Sequence, residues 1–569
     1  MKEKYLILFI ILIFAFIIRF SLINFGLPSK NLALTTYNPD EAITFYSIEK
    51  WQPKKFYFHP YDGFFWGGFH LYPVALSLGI AKILGYIKLE NREFYINNLV
   101  EADKLYIVAR MLMILFGTGS ILILFFILKE SYTEFTGLIG AGFLTILPLH
   151  IFNSIYVRPD IMMLFFGLLA IYFSVKMLKT GFTKYYILSC LSVGFSCGTK
   201  LNGGVFGILP VLAHFLADNK PEKEANLIKK KFLDYRLYLI PLICLAGFII
   251  SSPYVIIDFN SSQHSFLRYL KHNLNLAKGT MDLGQTVLFG SGVVSYYKYY
   301  LLYGVGTAIV LFSIFGMIVM FYNTIVEKNK VDILFLISGI VILSIISSTK
   351  NQAVWYTLPV IPFIIIFTSR GFGFFNNIIS IFSKRKIIKI LCFLTLFFVF
   401  GYTFIYAISY WKLYFYKNVR EECSEWIKQN IPYGSEVAIA RSYFWTPPVL
   451  RQYNPPYKVL MGADPVKSSV QDGVLGLEKL LDETEYVVLT EYEYRWAIHP
   501  KLKKYFSQHR EIVKKIFNSG EFVKLAEFDR EAKFLWFKFN KNYPPGDWLI
   551  PNPKIVVFKK NKNFLVIRN

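Results

Sequence analysis

Runs of about twenty apolar residues constrain this chain more than any other feature, because a helix of that length spans the hydrocarbon core of a bilayer. Residues 5–24 read YLILFIILIFAFIIRFSLIN. Comparable runs follow at 107–128, 136–152, 160–178, 185–200, 203–217, 237–253, 299–322, 331–348, 354–369 and 388–410. Arg19, near the end of the first run, is expected to snorkel toward the headgroups. The run at 69–87 contains His70, Pro73 and Lys82 and is ambiguous by hydropathy alone. Composition agrees with a membrane chain. Hydrophobic residues make up 54% and charged residues only 18%, against about 45–50% apolar in soluble domains. Fifty-six Phe and 39 Tyr exclude a disordered chain. Five cysteines in 569 residues exclude a disulfide scaffold.

The formal net charge is +24, which in a soluble protein would point to nucleic acid. In a membrane protein positive charge instead marks the cytoplasmic side. Lys2 and Lys4 precede the first run, and basic linkers occupy 176–184, 219–236 and 384–389, with Lys328 and Lys330 marking a fourth. Two runs separate each linker from the next, so all four fit one side. Counting back toward the N-terminus leaves no crossing for 69–87, which is expected to lie along the outer surface. The reading is a polytopic α-helical protein of the cell membrane with about eleven spans, a cytoplasmic N-terminus and an extracytoplasmic C-terminus. Residues 1–410 form the membrane domain, with a first external loop at 25–106. Residues 411–569 form an external α/β domain, with strands at 437–440, 486–490 and 554–558 and helices near 419–429 and 474–482. In the loop 254–298, the segment HSFLRYLKHNLNLAKG predicts an interfacial helix.

Few charged residues fall on the outer side without a topological reason. The first loop carries TTYNPDEAITFY, in which Asp40 and Glu41 follow Pro39 in a helix first turn. Either structural capping or general-base chemistry fits a carboxylate there. Arg110 opens the second run, and either snorkelling or phosphate binding fits it. Arg158 and Asp160 share the short turn NSIYVRPDIMM, where a local ion pair is the alternative to function. Lys200 lies in the tight turn CGTKLNGG, where Gly198, Gly203 and Gly204 permit close backbone approach. Such charges at membrane depth are functional candidates. Cations there suit a lipid phosphate, and a carboxylate suits deprotonation of an acceptor hydroxyl. A metal held by Asp40, Glu41 and His59 is an alternative that no ligand spacing supports, so no cofactor is expected to be required. No Walker A, G-x-G-x-x-G or H-E-x-x-H pattern occurs.

The motif NPDE at 38–41 resembles the first-loop acidic motif of integral-membrane glycosyltransferases with the type C fold, in the family-39 branch of protein O-mannosyltransferases and lipid A aminoarabinose transferases. Residues 109–210 carry the best match, through ARMLMILFGTGSILILFF, LTILPLHIFNSIYVRPDIMMLFF and LSVGFSCGTKLNGGVFGILP. SSPYVIIDF, YTLPVIPF, WIKQNIPYGSEVAIA, EYVVLTEYEYRW and PNPKIVVF extend it over nearly the whole chain. The resemblance implies transfer of a sugar from a polyprenyl- or dolichyl-phosphate donor to an extracytoplasmic acceptor on protein, lipid or glycan. It implies Asp40 as base with Glu41 beside it, and Arg110 as a donor-phosphate contact. Arg158 and Lys200 match further family positions. Trp355-Tyr356 departs from the Arg-Tyr of many relatives, and Lys350 is the candidate to supply the missing cation. His59, Asp160 and Tyr356 complete the candidate substrate contacts. The absence of W-W-D-Y-G argues against an oligosaccharyltransferase. A transporter or flippase of a lipid-linked sugar is the alternative, though transporters place their charges at the midplane. No nucleic-acid partner is expected.

Overall fold

The computed structural model describes residues 2–61, 66–217, 224–260, 265–278, 282–381, 386–464, 469–539 and 543–561. Lys220, Lys223, Lys384 and Arg385 of the basic linkers lie outside these residues. The protein is a multi-pass membrane protein whose helices carry broad apolar faces. Six helical stretches among the described residues are long and apolar enough to cross a bilayer. They include Leu99–Ser131, Pro159–Thr180, Thr307–Val326 and Lys330–Ser347. The other expected spans are helical but shorter or broken, as in Thr183–Thr199 and Tyr235–Ser251.

Three expectations are corrected. The span expected at 136–152 is two helices, Glu134–Thr145 and Pro148–Asn153, because Pro148 opens a new helix. The carbonyls freed at that break are met by Arg19, which is fully buried and does not snorkel. Its guanidinium donates to Thr145 O at 3.3 Å, Leu144 O at 3.4 Å and Ala15 O at 2.8 Å, and its Nη2 lies 2.7 Å from His150 Nδ1. A cation at a helix C-terminus completes the orphan carbonyls. The span expected at 299–322 starts instead at Thr307. Gly306 breaks the chain there at φ +86°, tight against the Tyr406 ring.

The segment around 69–87 forms the helix Leu71–Ile83, about 20 Å long and too short to cross. Leu71, Val74, Leu78 and Ala81 face the protein, while Leu76, Ile80 and Ile83 are exposed. The helix Phe266–Lys278 occupies the segment expected to be interfacial.

The C-terminal region is α/β. Strands β1 (Glu436–Ile439), β2 (Lys458–Met461), β3 (Tyr486–Thr490), β4 (Phe522–Phe528) and β7 (Ile555–Lys560) form a sheet in the order β2-β1-β3-β7-β4. Strands β5 (Ala532–Phe534) and β6 (Phe537–Phe539) form a separate hairpin. β1 runs parallel to β2 and β3, whereas β7 runs antiparallel to β3 and β4. Alternate residues supply two cores. Val487, Leu489, Val556 and Phe558 pack beneath Leu477 and Ile512 on one face. Val437, Val488, Ile555 and Val557 pack beneath Val419, Cys423 and Ile427 on the other. Helices on both faces explain why β3 is buried along its whole length.

Candidate active site

The helix Asp40–Glu49 begins directly after Pro39, so its first turn presents two neighbouring acids. The Asp40 amide donates to Asn38 Oδ1 at 3.2 Å. The two acids have opposite fates. Glu41 is fully buried and forms a bidentate pair with Arg110, Nε–Oε1 2.9 Å and Nη2–Oε2 2.7 Å. It also accepts from Val157 N at 2.9 Å and Thr36 Oγ1 at 2.5 Å. Arg110 Nη1 donates to Ile23 O and Phe25 O at 2.7 and 2.8 Å. Arg110, expected to contact the donor phosphate, is instead engaged within the protein. All three of its nitrogens are engaged and its side chain has no exposed surface. Glu41 is likewise engaged on several sides within the protein.

Asp40 keeps about a third of its side-chain surface open. Arg158 Nε lies 3.7 Å from its carboxylate. Thr44, one turn along the same helix, donates to Val157 O at 3.2 Å. Glu41 and Thr44 thus hold the 157–158 backbone from two sides, which brings Arg158 to Asp40. Burial pushes the Asp40 carboxyl above its ordinary range, and Asp160 and Glu41 add to the rise while Arg158 and Lys200 oppose it. The open edge of the side chain lets solvent limit that rise.

Arg158 precedes Pro159 in extended backbone, at the N-cap of Pro159–Thr180. Asp160 bridges the two cations, accepting from Arg158 Nη2 at 2.8 Å and from Lys200 Nζ at 2.7 Å. The Arg158 guanidinium carbon sits 4.1 Å from the Trp355 ring centroid, and Lys200 Nζ sits 5.2 Å from that of Tyr356. Among the described residues, Arg158 Nε and Nη1 are buried without a hydrogen-bond partner. Lys200 follows the helix Thr183–Thr199 and bridges to Gly67. Gly67 sits at φ +132°, where a Cβ would stand 2.5 Å from Gly198 O. Gly198 and Gly203 are also closely packed, whereas Gly204 has Cys197 Sγ within reach among the described residues.

Asp40, Arg158, Asp160, Lys200 and Tyr356 are therefore brought together. Two other candidates are not. His59 Nε2 pairs with Asp258 at 2.6 Å inside a cluster with Tyr57, Tyr61 and Tyr254. Lys350 is exposed, and its backbone amide donates to Ala277 O at 3.0 Å. The three residues of the metal alternative are not gathered, because Glu41 is committed to Arg110 and His59 to Asp258.

Sequence reasoning missed His70, Asp547 and the part played by Trp355. His70 Nε2 lies 3.1 Å from Thr44 Oγ1, while its Nδ1 is buried without a partner among the described residues. Asp547, from the C-terminal region, accepts the Trp355 amide at 3.1 Å. Burial lifts its carboxyl to about 7, against hydrogen bonds and the charge of Arg158 that lower it. The Arg-Tyr departure was the only sequence signal at Trp355, and none marked Asp547.

Residues 102–250 match the family described as dolichyl-phosphate-mannose-protein mannosyltransferase. The oligosaccharyltransferase of Archaeoglobus fulgidus in its apo form superposes with TM-score 0.52 at 11% identity, covering 95% of this chain and 75% of that one. The same enzyme tethered to an acceptor peptide gives TM-score 0.51 at 10% identity, covering 91% and 73%. The chain has the type C glycosyltransferase fold. ArnT from Cupriavidus metallidurans bound to undecaprenyl phosphate aligns over 98% of both chains at 12% identity, with TM-score 0.44. No curated protein sequence matches the chain. Within this type C fold, the family match at 102–250 spans Arg110, Arg158, Asp160 and Lys200. Asp40 lies outside it.

Proposed function

We propose that the protein is a membrane glycosyltransferase that moves a sugar from a polyprenyl- or dolichyl-phosphate donor to an acceptor hydroxyl, with inversion. One observation carries the reading. An open carboxylate, Asp40, faces an arginine 3.7 Å away whose Nε and Nη1 lack hydrogen-bond partners among the described residues. A phosphate oxygen satisfies such donors, and a carboxylate beside it accepts a proton.

The acceptor oxygen attacks the anomeric carbon as the bond from that carbon to the phosphate oxygen breaks. The hydroxyl proton passes to Asp40, and the lipid phosphate departs as an anion held by Arg158 and Lys200. A positioned base supplies about 10²–10⁴ in rate, and each preorganised donor about 10²–10³. Asp160 holds the two cations apart and aligned. Glu41 and Arg110 fix the helix that carries Asp40. The distribution of lysine and arginine supports an extracytoplasmic position for this face. The acceptor belongs to a protein, lipid or glycan.

Asp40→Asn should abolish sugar transfer from a polyprenyl-phosphate sugar while leaving the fold and the binding of polyprenyl phosphate intact. Turnover near wild type in that variant would overturn the assignment. Binding and translocation of the donor without release of lipid phosphate would favour a flippase.

A further inference from the structure

The C-terminal region reaches the cluster through the turn Gly546–Leu549. Asp547 accepts the Trp355 amide near the start of the 3-10 segment Val354–Val360. Early amides of a helical segment lack partners within it, so Asp547 caps this segment from a distant part of the chain. Its own turn is fixed. Tyr492 Oη donates to Gly546 O at 2.6 Å, and the Gly546 amide donates to Gln285 Oε1 at 2.9 Å. Further along, Arg420 Nη2 donates to Ile550 O at 2.7 Å. Trp355 packs against Phe444, Trp445 and Ile550 of the same region. The ring also carries the Arg158 guanidinium at 4.1 Å.

We infer that Asp547 is a positioning residue for the donor phosphate: it holds Trp355, the platform that keeps Arg158 aimed at the ligand. This rests on the proposed function for the identity of the ligand but not for the coupling itself. Here one arginine is braced by a tryptophan. The external region thereby completes the binding site without touching the reacting atoms.

The test is a mutant cycle on the full-length protein in detergent, read by affinity for polyprenyl phosphate alone. Asp547→Ala and Trp355→Ala should each weaken binding by about thirtyfold, the size of one desolvated cation–π contact. The double variant should bind no worse than Trp355→Ala, because both changes remove the same support. Asp547→Asn keeps an oxygen for the Trp355 amide and should restore most of the affinity. Trp355→Phe keeps a ring and should fall between. In turnover, Asp547→Ala should raise KM for the donor with little change in kcat. Additive losses in the double variant, unchanged binding in Asp547→Ala, or no rescue by asparagine would overturn the inference. A wild-type protein that binds polyprenyl phosphate but releases none from a sugar donor overturns the transferase reading and leaves this cycle interpretable. One that binds no polyprenyl phosphate overturns both.

Discussion

Replacing Arg110 by methionine tests whether this arginine is an anchor or a ligand contact. The side chain makes four hydrogen bonds, two to Glu41 and two to the carbonyls of Ile23 and Phe25. Both partners of the ion pair are fully buried. Methionine preserves volume but leaves the Glu41 carboxylate, among the described residues, with the Val157 amide and the Thr36 hydroxyl. Removing one partner of a buried pair costs about 3–5 kcal/mol, mostly through the uncompensated charge. At about 2–4 °C per kcal/mol for domains of 150–250 residues, and less for a longer chain, the loss amounts to several degrees in Tm. Thermal unfolding in detergent, followed by scattering and intrinsic fluorescence, measures it. Glu41→Gln combined with Arg110→Met should recover a large share, since neither charge is then left alone. A different result refutes the reasoning: an Arg110→Met protein that unfolds within about a degree of wild type yet loses polyprenyl-phosphate binding. That outcome would return Arg110 to the ligand.

Two further predictions concern the helical and α/β parts. Gly67→Ala places a Cβ 2.5 Å from Gly198 O in left-handed backbone, so the Gly67–Lys200 bridge should open; donor KM should rise while Asp40-dependent chemistry persists at saturation, which steady-state kinetics separates. In the C-terminal region, burial lifts Glu493 to about 7 despite its hydrogen bonds from Thr490 N and Trp445 Nε1. The fold therefore holds the proton that the unfolded chain releases nearer 4.5. Its stabilising effect is full below that lower value and is lost as pH rises through about 7. The loss is of the order of 3 kcal/mol, and Glu493→Gln should flatten the pH dependence of Tm across that window.

Local signals located most of the candidate site. Pro39 and Pro159 each open a helix, and the acids and cations beside them were legible from a few neighbouring residues. The glycine-rich turn around Lys200 was legible for the same reason. Partnerships across the chain were not. Glu41 and Arg110 are 69 residues apart, and an arginine awaiting a phosphate has the same sequence signature as one buried against a glutamate. Asp547 and Trp355 are 192 residues apart and meet only once the C-terminal region has folded. The strands β1, β3 and β7 were readable as apolar runs because they are the buried centre of the sheet. The edge strands β2 and β4 escaped notice, since exposed positions interrupt their apolar pattern. Hydropathy likewise recorded 299–322 as one run and was blind to the backbone break at Gly306.

The adjacency of Asp40 and Glu41 gives the ion pair a meaning beyond stability. Neighbours on a helix point about 100° apart, so the direction of one fixes the direction of the other. Arg110 grips Glu41 with two parallel hydrogen bonds and therefore sets the rotational phase of the whole helix. A slip by a single position would turn Asp40 into the protein and Glu41 toward the opening. The buried pair works as a keyway: it admits the helix in one angular setting, and in that setting the acid left partly open is Asp40.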